Sequence, residues 1–147
     1  MAGTVVFKGS AARVMEAVMG AVIPRGGAFP LGAEDFDLIP RAEEILQSYD
    51  PLLRRAFPLL LKYLQLSALM RTGRPFTRLT QEKAVRFLVG MEHSPFYYRR
   101  TIVLLFKLIT CLTFYDVDEA AEQIGYRHSC GPGSGKGVMR RKAAKRG

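Results

Sequence analysis

Apolar positions recur at helical spacing along most of the chain. Val14, Ala17, Val18, Ala21 and Val22 share one face and predict a first helix, with Ser10 as its N-cap and Pro24 as its stop. Residues 25–32 hold three glycines and a proline, the composition of a loop. Leu38, Ala42, Ile45, Leu46 and Tyr49 form the stripe of a second helix over residues 34–49, with Pro40 in its first turn. Asp50-Pro51 is a cap followed by a proline suited to a helix start. The third helix it opens runs to about Arg71, with Leu53, Phe57, Leu60, Leu61, Leu64 and Ala68 facing inward, Pro58 in its interior and Thr72-Gly73 as its stop. Thr80 caps a fourth helix over residues 81–93, with Ala84, Phe87, Leu88 and Met91 as its buried side.

Residues 94–115 (SPFYYRRTIVLLFKLITCLTFY) dominate the pattern. Ser94 and Pro95 suit a helix start. In the 14 residues from Ile102 to Tyr115, only Lys107, Thr110 and Thr113 interrupt an apolar run. A helix apolar on nearly all sides needs neighbours all round. Its apolar part is shorter than the roughly 20 residues that cross a bilayer, so it reads as the central helix of a bundle. Asp116 then caps a short last helix over residues 117–124, closed by Gly125. No segment alternates with period two. The expectation is an all-α single-domain bundle of about six helices around a central apolar helix, with an N-terminal arm at 1–9, the helical domain at 10–126 and a Gly-rich basic tail at 127–147.

Charge sharpens this division. Of 22 Lys and Arg residues, 15 lie in residues 1–126 beside all 13 acids, so the body is nearly balanced. The other seven lie in residues 127–147 with no acid. The basic balance therefore describes the tail. A chain of 147 residues with 48% hydrophobic content is long enough for a core without disulfide or metal staples. The start lacks the charged-then-apolar pattern of a secretory signal, and no twin-arginine pair lies near it. As written the chain reads as cytoplasmic, or as periplasmic if exported with a partner.

Reaction chemistry is sparse. Residues 131–137 (GPGSGKG) evoke a phosphate-binding loop, but Cys130 stands where the first glycine is needed, Gly137 follows Lys136, and no strand precedes. His93 and His128 lack ligand-spaced partners. The acidic cluster Asp116, Asp118, Glu119 and Glu122 lacks the order of a calcium loop and suits a helix start. Cys111 reads as a small core hydrophobe, and Cys130 as a free thiol able to bond to a partner. Phe96, Tyr97, Tyr98, Arg99 and Arg100 cluster at the head of the apolar helix. Aromatic and arginine side chains are enriched at protein interfaces, so these five, with Cys130, are the candidate partner-interface residues; ordinary core and rim is the other reading of the five. The tail could meet nucleic acid or an anionic membrane surface, although it has no aromatic residue for base stacking.

Three short stretches carry a family resemblance over about residues 11–126. Residues 21–24 (AVIP) are like the family's "ALADAIIP" opening. Residues 93–100 (HSPFYYRR) are similar to its Ser-Pro before a long Leu-rich helix with Arg. Residues 113–126 (TFYDVDEAAEQIGY) are close to its "YY-x-D-P…IGY" ending, with Val117 where the family often has Pro. The chain resembles the gluconate 2-dehydrogenase subunit 3 family, the small subunits of flavin-dependent dehydrogenases of the glucose-methanol-choline type. The resemblance implies a non-catalytic accessory subunit with no cofactor of its own. The expected partner is a large subunit that holds FAD, with a cytochrome subunit a further member of such complexes. The family often carries a twin-arginine signal, from which this chain departs. The alternative expectation is a basic-tailed helical binder of nucleic acid or an anionic membrane surface.

Overall fold

The computed structural model describes residues 5–27, 30–117 and 120–121. The chain is all-α: among the described residues there are five α-helices and no strand. These are α1 (Ser10–Val22), α2 (Ile39–Gln47), α3 (Pro51–Thr72), α4 (Gln81–Glu92) and α5 (Tyr97–Tyr115), with short 3-10 turns at Ala33–Asp35 and Phe76–Arg78. The expected sixth helix falls largely outside the described residues. Within it, Ala120 and Ala121 are helical and donate to the Val117 carbonyl at 3.0 and 2.9 Å.

Local chemistry explains where the helices begin and end. Asp50 accepts from the Leu52 N–H at 2.7 Å, Pro51 is the first residue of α3, and Gly73 ends it at φ 75° with its N–H on the Leu69 carbonyl. Three expected starts shift. At α1 the capping position is taken by Gly9, at φ 50°, and Ser10 is already helical. The second helix begins five residues late, because Asp35 turns back to accept from the Gly32 N–H at 2.9 Å and pairs with Arg25. This fold-back leaves no room above the loop: a Cβ on Gly32 would stand 2.5 Å from the Arg25 backbone nitrogen. At α5 Ser94 lies two residues too early to cap the helix: its N–H rests on the Met91 carbonyl at the end of α4, at 3.1 Å, and its hydroxyl accepts from the Phe96 N–H at 3.3 Å. Phe96 takes the capping position without a side-chain bond.

The N-terminal arm is tied down. Val6 and Phe7 donate their N–H groups to the two carboxylate oxygens of Glu43 on α2, at 2.7 and 2.9 Å, and both side chains are buried. Phe7, Phe57 and Phe106 stand edge-to-face in a row, with ring centroids 5.7 and 5.6 Å apart, and join the arm to α3 and α5. Phe36 meets Phe114 in the same way at 5.9 Å. Arg41 on α2 bridges Glu44 and Asp116, each at 2.6 Å, so these two carboxylates hold its guanidinium more firmly protonated than usual. Asp116, expected to open the last helix, thus ties the end of α5 to α2.

α5 touches each of the other four helices, as a central helix should. It is not surrounded, however. Its buried side is Val103, Phe106, Ile109, Thr110, Thr113 and Phe114. Leu104, Leu108 and Leu112 are 67%, 47% and 43% exposed. No helix among the described residues is long and apolar enough to cross a membrane.

Candidate partner interface

The orientation of α5 defies its own sequence. Hydropathy alone would turn the threonines outward and the leucines inward. Instead Thr110 and Thr113 are fully buried while three leucines, spaced four residues apart on one face, meet solvent. Thr113 satisfies its hydroxyl by donating to the Ile109 carbonyl at 2.7 Å. The Thr110 hydroxyl is buried with no partner among the described residues, which costs about 1–3 kcal/mol. The packed side is fixed by Phe106, Ile109 and Phe114, the bulky residues that fill the centre. The leucine row is what remains.

The five residues at the head of α5 fall into two groups. Phe96, Tyr97 and Tyr98 project into solvent, and the two tyrosine rings stand edge-to-face at 6.0 Å. Tyr97 continues the leucine row, since Tyr97, Thr101, Leu104, Leu108 and Cys111 follow at alternating spacings of four and three. Arg99 and Arg100 turn back onto the protein. Arg99 donates from Nη2 to Ser67 Oγ on α3 at 3.2 Å, and Arg100 donates from Nη1 to the Ser94 carbonyl at 3.2 Å. The two arginines brace the helix start, and the three aromatic rings form the free apolar cap. Cys130 lies outside the described residues, as does the tail.

Nearby groups are structural in geometry. Lys107 pairs with Glu92 of α4 at 2.6 Å, and this hydrogen bond holds the Glu92 carboxyl below its usual range. His93 sets Nδ1 2.9 Å from the Val89 carbonyl of its own helix. Burial pushes the Cys111 thiol up, against a weaker opposing pull from Lys107. Among the described residues no three His, Cys, Asp or Glu side chains gather as metal ligands. His128 lies outside them. A cleft of about 440 Å³ opens beside α1, its lining including Arg13, Glu34, Phe36 and Thr77.

The aromatic head was legible in the sequence from its composition. The leucine row was not, because a helix apolar all round carries no signal for which face is left open. The usable hint was an excess: the apolar residues of this stretch outnumber those one buried face can hold. No family model, curated protein or solved structure matches this chain.

Proposed function

We propose that this chain is a non-catalytic accessory subunit that binds and stabilises a flavin-dependent dehydrogenase of the glucose-methanol-choline type. The observation that carries the docking role is α5, which buries two threonines while holding Leu104, Leu108 and Leu112 in solvent beside Phe96, Tyr97 and Tyr98. A soluble monomer gains nothing from that arrangement, whereas a partner surface would cover it. The identity of the partner rests on the three resembling stretches. One of them, residues 93–100, supplies the exposed aromatic head itself. FAD would sit in the large subunit. This chain would act by mass action: a subunit present at 100 times its dissociation constant stabilises the folded partner by about 2.7 kcal/mol.

Co-expression tests the reading. The flavoprotein encoded nearest to this chain is expected to be recovered in higher soluble yield with it than without it, and to lose that gain with Leu104→Glu/Leu108→Glu. Equal yield and activity of the flavoprotein alone would refute the reading. The second reading, a binder of nucleic acid or anionic membrane, rests on the seven basic residues of the tail. It requires salt-sensitive retention on DNA or anionic vesicles that disappears when residues 127–147 are removed.

A further inference from the structure

α3 has two apolar faces, and the fold uses one. Phe57, Leu61, Leu64 and Ala68 point into the core. On the opposite side Leu52, Ala56, Leu59, Tyr63, Leu66 and Met70 follow one another at spacings of four, three, four, three and four. That repeat of 3.5 residues is the seam of a coiled coil, maintained over almost the whole 22-residue helix. Leu52, Leu59, Tyr63, Leu66 and Met70 are 76%, 63%, 40%, 56% and 81% exposed. At 1.5 Å per residue the strip from Leu52 to Met70 is roughly 27 Å long. Pro58 removes one backbone bond, but it lies off the seam and the helix runs through it.

The charges beside the seam select the occupant. α3 contains Arg54, Arg55, Lys62 and Arg71 and no acid. Arg55 and Lys62 precede seam positions and form one edge. On the other edge stands Ser67, which holds the guanidinium of Arg99. Arg99 Nε is buried with no hydrogen-bond partner among the described residues. No ion pair among the described residues engages Arg55, Lys62 or Arg99. A second copy fits poorly. Antiparallel pairing sets Arg55 and Lys62 against their own equivalents, and parallel pairing sets Lys62 against the Ser67–Arg99 edge. The chain's own residues 127–147 carry seven basic side chains and no acid, so they do not complement the strip either. A lipid surface asks for a broad apolar face, whereas this is a narrow seam of 3.5-residue period.

We propose that the outer face of α3 is a docking seam for an amphipathic helix of another protein, with an apolar stripe of 3.5-residue period edged by Glu or Asp. Carboxylates beside that stripe would meet Arg55 and Lys62 on one side and Arg99 on the other. This inference stands without the flavoprotein reading, and its test uses none.

The probe is a fluorescently labelled synthetic peptide of three heptads, with Leu at the seam positions and Glu at the flanking ones, titrated with the full chain and followed by anisotropy. A matched peptide with Lys at the flanking positions is the control. The acidic peptide is expected to bind at least tenfold more tightly than the basic one, more weakly as salt rises, and at least tenfold more weakly to Leu59→Ser/Leu66→Ser. Arg55→Glu/Lys62→Glu is expected to narrow or invert the preference between peptides. All four positions are solvent-facing in whole or large part, and an unchanged melting curve confirms that each variant folds. Three results would overturn the proposal: equal binding of the two peptides; sedimentation as a dimer that Leu66→Ser dissociates, which makes the occupant a second copy; or no peptide binding alongside retention on phosphatidylserine vesicles that Leu59→Ser/Leu66→Ser abolishes, which makes it a lipid surface.

Discussion

Leu64 and Leu66 lie on one helix, two residues apart and therefore about 200° apart around its axis. The structure buries Leu64 completely and leaves Leu66 56% exposed. The same truncation, Leu→Ala, should then have two different costs. At Leu64 three carbons leave an apolar environment, a loss of about 2.4 kcal/mol at about 0.8 kcal/mol per carbon. The cavity left among packed neighbours raises the total to about 4 kcal/mol, inside the usual range of about 2–5 for buried leucines. At Leu66 less than half of that transfer is at stake, water fills the space, and alanine is a slightly better helix former, so the cost is about 1 kcal/mol or less. Thermal unfolding of the isolated chain reads the difference. At about 2–4 °C per kcal/mol for a chain near this size, Leu64→Ala should melt about 8–16 °C below the parent and Leu66→Ala no more than about 4 °C below it. Urea midpoints should rank the variants in the same order with similar slopes. Melting points within about 3 °C of each other, or the reverse order, would mean that α3 is turned about its axis, and the docking seam would then be core.

Two further outcomes follow from the packing. Thr110→Val replaces a buried, unpartnered hydroxyl with a methyl of nearly the same shape and should raise the melting temperature by about 2–4 °C, a gain of about 1 kcal/mol; a lower melting temperature would show that the hydroxyl is bonded. Glu92→Gln breaks the pair with Lys107, whose ends are both partly exposed, so the loss at pH 7 should stay below about 1 kcal/mol. Because Lys107 lowers the Glu92 carboxyl when the chain is folded, the pair contributes fully above the ordinary carboxylate range and fades as pH falls through the folded value. The stability gap between parent and Glu92→Gln, measured by urea titration at a series of pH values, should thus be constant above about pH 6 and close below about pH 4; a gap that widens in acid would contradict the pairing.

Much of the scaffold was readable from residues alone. Proline and glycine placed the ends of α1 and α3, because their backbone limits act within a residue or two. Asp50 capped as its position suggested, since a cap needs only the next few N–H groups. Spacing also placed Phe57, Leu61, Leu64 and Ala68 correctly on the buried side of α3. The late start of α2 was beyond that reach. It depends on Asp35 meeting Arg25, ten residues away, across a loop.

Local sequence thus determined that this chain makes helices, roughly where they break, and which aromatic head the long one carries. Tertiary packing decided what is left uncovered. α3 and α5 each carry more apolar surface than one contact can bury; spacing selected the buried face of α3, but on α5, apolar on nearly all sides, periodicity cannot choose. There the choice falls to volume: Phe106, Ile109 and Phe114 fill the centre of the bundle, even at the expense of burying Thr110. The leucines turned outward by that choice form the surfaces to which binding is assigned.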